Sequence, residues 1–213
     1  MNRFILKYPT ILQKLYPSRI SKITKEKTIY LSFDDGPIPE VTPWVLQTLA
    51  NFSAKATFFC IGNNIKKHPD VFQEIITSNH TIGNHTFNHL NGWRTKLDHY
   101  IENIAKTDAI INEYKAKTIS ENKFFRPPYG RIKNKQAKKL QKLGYKIVMW
   151  DVISGDYDQT YDAEKCLKNC IKLITPGSVV VFHDSLKAQK NLIYVLPKLM
   201  EYYAKKGWSF ENL

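Results

Sequence analysis

The chain has 213 residues, 43% hydrophobic and 24% charged, which suits one sizeable domain with its own core and argues against a disordered segment. A formal net charge of +13 admits an anionic polymer or membrane surface as a partner, but the lysines read as dispersed and no nucleic-acid-binding motif accompanies them. The three cysteines, Cys60, Cys166 and Cys170, are too few for a disulfide framework and lack histidines at zinc-finger spacing, so they read as packing.

Residues 1–27 form an extension, and residues 28–213 read as one domain. The opening stretch, MNRFILKYPTILQKLYPSRI, is interrupted by Lys7, Pro9, Gln13 and Lys14 and has no continuous apolar core of signal-peptide length. No stretch approaches the roughly 20 apolar residues that span a bilayer. The expectation is a cytoplasmic chain. The extension is expected to pack on the domain or to rest on an anionic membrane surface through Phe4, Ile5, Leu12, Leu15 and its basic residues.

From Thr28 onward strands and helices alternate. TIYLSF reads as a buried strand, and TPWVLQTLANF as a helix with Pro43 in its first turn. KATFFCIG is a strand, HPDVFQEIITSN a helix, and HTIGNHT a short strand entering a loop. The spacing of Leu97, Tyr100, Ile101, Ile104 and Ile111 predicts a long amphipathic helix over 96–114. KFFRPPYG is a strand and loop, NKQAKKLQKLG a helix ending at Gly144, and YKIVMWDV a single strand. A helix capped by Asp162, the strand GSVVVFHD, a helix containing Pro197 and a last strand, WSFENL, complete about seven strands. Such alternation with near-continuous apolar strands predicts a parallel sheet covered by helices, either open or closed into a barrel.

The unusual residues fall at strand ends: Asp34 and Asp35, His85 and His89, Arg126, Asp151 and Asp156, and His183. In either parallel architecture the site forms at the C-terminal edge of the strands, so these side chains are expected to meet. HTFNH places His85 and His89 four apart, which on one helical turn points both imidazoles the same way, as two metal ligands require. Two histidines and a carboxylate suit a divalent Lewis acid with open positions. Adjacent strand residues point to opposite faces, so one of Asp34 and Asp35 can reach a metal while the other serves as general base. Arg126 is a candidate to keep both acids ionised, and His183 is a candidate general acid whose ring Asp156 or Asp184 could hold. His68, His80 and His99 stand apart and read as structural or surface residues.

These residues resemble the NodB-like polysaccharide deacetylases, metal-dependent carbohydrate esterases. SFDDG, HTFNH, RPPYG, WDVISGDY and VFHD stand in the order of that family's five motifs. The resemblance implies a distorted (β/α) barrel of about seven parallel strands. It implies Asp34 as base, Arg126 as its orienting partner, and Asp35, His85 and His89 as ligands of a divalent metal, most often zinc, with cobalt, manganese and nickel also admitted. It further implies that the backbone N–H of Tyr129 stabilises the oxyanion and that Asp156 tunes His183, the general acid. Pro128, Tyr157 and Val181 are expected to line the substrate pocket. Tyr157 and Val181 stand where the family usually has Trp and Leu, and both still offer apolar walls.

The implied reaction removes N-acetyl groups from an amino-sugar polymer or oligosaccharide. Alternatives are deacetylation or deformylation of a lipid-linked sugar, O-ester hydrolysis, or an inactive sugar-binding protein. No obligate protein partner is evident.

Overall fold

A computed structural model describes residues 6–114 and 122–213. Strand β1 (Thr28–Asp34) is buried along its whole length and lies at the centre of a parallel sheet. On one side it pairs with β7 (Val179–His183). On the other, its second half pairs with β2 (Thr57–Cys60) and its first half with the last strand, β8 (Ser209–Glu211). Strands β3 (Thr81–Asn84), β4 (Lys123–Phe125), β5 (Tyr145–Ile147) and β6 (Val152–Ile153) complete the order β5-β4-β3-β2-β1-β7-β6.

The strand order decides between an open sheet and a barrel. β5 and β6 are opposite edges of the sheet, yet only residues 148–151 separate them in the chain. Five Cα steps reach at most about 19 Å. A flat sheet of seven strands would hold its edges about 29 Å apart. The sheet must therefore curl, and the fold is a distorted (β/α) barrel. The segment YKIVMWDV is accordingly two strands with a crossing between them, not one. Val148 donates its N–H to Phe125 on one edge, while Asp151 donates to Val179 on the other. Its unbroken apolar character arises because the crossing is as buried as the strands.

The seam between β5 and β6 is filled by the start of the chain. Ile20 bridges Val148 and Lys7 bridges Val152, while Leu6 and Tyr8 are buried. A short helix, α1 (Thr10–Leu15), lies between these contacts. Lys7 Nζ pairs with the buried Asp151 carboxylate at 2.7 Å.

Helices α2 (Thr42–Asn51), α3 (Gly62–Lys67), α4 (Pro69–Thr77), α5 (Leu97–Glu113), α6 (Asn134–Lys142), α7 (Ala163–Leu173) and α8 (Gln189–Ala204) follow the strands. The stretch before α4 forms the extra helix α3, which strand-like reading of KATFFCIG did not anticipate. Alternation sorts β1 cleanly. Ile29, Leu31 and Phe33 join the main core with residues of α2 and α8, while Tyr30 packs with Phe59, Phe124, Val148 and Val179 inside the barrel. The same inward row continues upward to Ser32 and Asp34, so the strand that builds the core also delivers a carboxylate to the barrel mouth.

Cys60, Cys166 and Cys170 are free and buried, in keeping with a packing role. No helix among the described residues is long and apolar enough to cross a membrane.

Candidate active site

Asp34 ends β1 beside His183, which ends β7, so the register places them as direct neighbours across the ladder. Asp34 is buried, and Arg126 Nη1 donates to its Oδ1 at 2.6 Å. Arg126 is itself 1% exposed; it also donates to Ser32 Oγ at 2.8 Å and to the Met149 carbonyl at 2.9 Å, with its guanidinium over the Phe59 ring. Burial alone would raise the Asp34 carboxyl, but Arg126, by its charge and its hydrogen bond, together with the His85 and His183 charges, outweighs this and holds it below the usual carboxylate range.

Strand alternation would send Asp35 to the opposite face from Asp34. The structure shows otherwise. Asp35 has left the strand, with φ +86°, and this twist returns its side chain to the same mouth. His85 Nε2 is 4.0 Å from Asp34 Oδ2 and 3.9 Å from Asp35 Oδ1. The two acids converge on one histidine.

The turn behind Asp35 is gripped by Asp184. Its Oδ1 accepts the Gly36 N–H at 3.0 Å and its Oδ2 accepts the Thr42 hydroxyl at 2.6 Å. A Cβ on Gly36 would lie 1.9 Å from Asp184 Oδ2, so only glycine permits this approach. Asp184 is thus committed to the turn. His183 is held instead by Asp156, whose Oδ1 meets the ring Nδ1 and whose Oδ2 accepts the backbone N–H, both at 2.8 Å. Burial alone would lower the His183 pKa, but the Asp156 carboxylate more than offsets it and raises it to about 9.

His85 and His89 do not share a helical turn. Residues 85–90 are irregular, and Thr86 and His89 take positive φ values of 64° and 53°. The loop is shaped by side chains. Asn103 Oδ1, from α5, accepts the N–H groups of Phe87 and Asn88 at 2.8 and 3.0 Å, and Thr86 Oγ1 accepts that of Leu90 at 2.9 Å. The result still brings the two rings together, with His89 Nε2 3.4 Å from Asp35 Oδ1. Asn103 carries this loop without having stood out in the sequence. Its signal was an asparagine on the buried face of α5, beside Tyr100, Ile104 and Thr107.

Candidate ligand atoms of Asp35, His85 and His89 lie within 4.8 Å of one another. Asp35 Oδ1 is buried and has no hydrogen-bond partner. His85 Nδ1 meets the Arg126 carbonyl at 2.8 Å, which leaves Nε2 as the free lone pair; His89 Nδ1 meets the Tyr129 hydroxyl at 3.1 Å. Burial, with the His85 charge next, lowers His89 to about 4, so its ring is neutral at pH 7. An orphaned carboxylate oxygen between two outward-facing imidazole nitrogens fits a divalent cation.

Around this mouth, Pro128 is buried at the head of a tight turn, Tyr129 is 60% exposed with φ +60°, and the Tyr157 ring meets His183 edge-on at 4.7 Å. Val181 is buried in β7, two residues before His183, on the inward row. Asp151 does not join the site. Ser178, just before β7 begins, donates to its Oδ2 at 2.5 Å, so it lies at the opposite end of the strands from His183. The sequence places it at a strand end because nothing in YKIVMWDV marks the crossing. His80 accepts the Ala56 N–H at 3.3 Å, and His99 is on the surface near Glu102.

The family model for polysaccharide deacetylases matches residues 21–148, more than half of the sequence. The chain belongs to the polysaccharide deacetylase family. It is 34% identical over 186 residues to a peptidoglycan-N-acetylglucosamine deacetylase of Bacillus cereus, covering 87% of this chain and 66% of that protein. A chitooligosaccharide deacetylase of Azorhizobium caulinodans is 32% identical, covering 77% of each. Among solved structures, the Bc1960 peptidoglycan N-acetylglucosamine deacetylase, crystallised with an N-hydroxybenzamide ligand, superposes with a TM-score of 0.87 at 32% identity and covers 97% of this chain and 95% of that one. This family member therefore shares the barrel along nearly its whole length.

Proposed function

We propose that this protein is a metal-dependent deacetylase that hydrolyses N-acetyl groups on an amino-sugar polymer or oligosaccharide, with residues 28–213 as its catalytic body. One observation carries the reading. A buried, unpartnered carboxylate oxygen of Asp35 faces His85 and His89, and a second carboxylate, locked by Arg126, stands beside them. The names of the relatives support the substrate class.

Asp35, His85 and His89 would hold the cation, zinc best matching two histidines and one carboxylate, with cobalt, manganese or nickel also suited. Held there, such a cation would supply Lewis-acid chemistry to the amide carbonyl and to the attacking water near neutral pH. Asp34, kept ionised by Arg126, takes a proton from the attacking water. The backbone N–H of Tyr129 would serve the developing oxyanion, a role that its fixed place in a tight turn supports. His183 enters protonated and delivers its proton to the amine nitrogen as the C–N bond breaks. Water and the amide are consumed, and acetate and a free amine are formed. Pro128, Tyr157 and Val181 supply apolar walls for the acetyl group.

The test is D34N. Acetate release should fall at least about a thousandfold, while the bound metal, measured by elemental analysis, stays at the wild-type level. Wild-type turnover in D34N would remove Asp34 from the role of base.

A further inference from the structure

The positive charge of this protein is not dispersed. Between Lys123 and Trp150 the sequence holds nine basic residues and no acidic one, so this stretch carries +9 of the net +13 and the rest of the chain only +4. Arg126 is buried in the site; the other eight are exposed. Six of them lie on α6 and the loop before it, with Arg131, Lys133 and Lys135 at the end nearest the barrel mouth and Lys138, Lys139 and Lys142 further along; Lys123 and Lys146 sit on β4 and β5. Among the described residues none of these eight pairs with a carboxylate of the protein.

This basic face is joined to the mouth by a built feature. Trp93 is 59% exposed, with the Arg131 guanidinium 5.2 Å from its ring centre. Arg131 follows Tyr129 by two residues, and Tyr129 touches His89. The turn carrying Trp93 is bolted to this loop. Gly92 N–H donates to the Arg131 carbonyl at 3.1 Å, and the buried Gln136 amide donates to the Gly92 carbonyl at 3.0 Å. A Cβ on Gly92 would lie 2.4 Å from the Arg131 carbonyl oxygen, so the contact admits only glycine.

We propose that this surface binds the strand of an anionic glycan that runs out of the catalytic mouth, its sugar faces over Tyr129 and Trp93 and its carboxylate or phosphate groups toward Arg131 and the α6 lysines. The inference rests on the deacetylase reading of the site and names its substrate class: an N-acetylated polymer that carries negative charge along its length. A sugar ring presents an apolar C–H face to an exposed aromatic ring, and the unpaired cations supply long-range attraction and charge-assisted bonds. A membrane surface fits less well. An interfacial helix needs an exposed apolar face, whereas the apolar residues Ala137 and Leu140 of α6 are buried in the protein.

The experiment compares acetate release from soluble peptidoglycan glycan strands, which carry carboxylates, with release from neutral chitohexaose. The variants are R131A/K135A/K138A, W93A, and K165A/K168A/K172A on α7 as an equal loss of charge elsewhere. The α6 variant should raise KM for glycan strands about tenfold, with kcat unchanged, and lose the salt sensitivity of KM. Its ratio of kcat/KM between the two substrates should fall about tenfold, W93A should raise KM for both, and the α7 variant should leave the ratio as in wild type. An unchanged ratio in the α6 variant, or an equal fall in the α7 variant, overturns the inference. So does loss of binding to phosphatidylglycerol vesicles by the α6 variant with glycan kinetics intact, which would assign the face to a membrane. If wild type releases acetate from neither substrate, the deacetylase reading fails by itself. Cosedimentation of wild type and the α6 variant with insoluble peptidoglycan then decides the binding surface independently, equal binding overturning it.

Discussion

Asp184 accepts the backbone N–H of Gly36 at 3.0 Å, and by that bond the residue after His183 sets the position of the residue after Asp35. Two motifs that are about 150 residues apart in sequence thus share one hinge pin. The G36A variant should expose this. Its Cβ would overlap Asp184 Oδ2, and either the carboxylate or the turn must move. Metal affinity, read by competition with a chelator, should fall more than tenfold, and the melting temperature should drop by several degrees. Wild-type metal affinity in G36A would show that the grip does not position Asp35.

Asn103 offers a second handle on the same chemistry. Its single side-chain oxygen takes two backbone N–H groups of the loop between His85 and His89. Replacing it by leucine does not weaken the helix propensity of α5 and removes the oxygen that accepts both N–H groups. The expected outcome is a 10- to 100-fold loss of metal affinity with kcat of the metal-saturated enzyme less affected. A pure stability effect, with affinity retained, would make Asn103 a core residue and nothing more.

The pH dependence follows from His183. Its pKa is raised to about 9 because Asp156 overcomes the effect of burial. A general acid must be protonated, so kcat/KM should hold through neutral pH and decline as pH rises through about 9. By the same linkage, the stabilisation from His183 is fully present below the unfolded histidine value and is lost as pH rises through about 9. In D156N only the Asp35 and Asp34 charges still oppose burial, and the alkaline limb should move to lower pH. An unmoved limb would mean that another group sets it.

Stability in acid has a different origin. Burial, with the Lys55 charge adding to it, lowers His80 to about 4. Its ring accepts the Ala56 N–H and packs against Phe58, so folding needs the neutral form. The unfolded chain takes up the proton near pH 6.5. Stability should therefore fall as pH drops from about 6.5 to 4, by on the order of 2 kcal/mol. H80Q, which cannot titrate, should flatten that part of the urea-stability profile; a profile as steep as wild type would locate the acid sensitivity elsewhere.

The sequence made the site residues legible because a parallel fold exports polar residues to one rim. Asp34, Arg126 and His183 could be picked out as breaks at the ends of apolar runs, and the structure brings them together. What could not be read was how irregular backbone aims a side chain. Alternation sent Asp35 away from Asp34, and helical spacing aligned His85 with His89. In both cases positive φ angles did the aiming, and these depend on partners remote in sequence, Asp184 and Asn103. The crossing from Val148 to Asp151 was hidden for a related reason. Apolar character reports burial, not which neighbour takes the hydrogen bonds.

Ile20 accepts the N–H of Met149 at 2.6 Å, and the carbonyl of that same Met149 holds Arg126. The first residues of the chain therefore reach the carboxylate of Asp34 through two intermediaries. The contact of Lys7 with Val152 closes a loop of most of the chain, and such distant pairings form slowly because the entropy of closure comes before the reward. A half-made barrel, with the edges of β5 and β6 open, is a species that can pair with another copy of itself. In this protein its own amino-terminal segment covers those edges and, through Met149, also supports the guanidinium that holds Asp34.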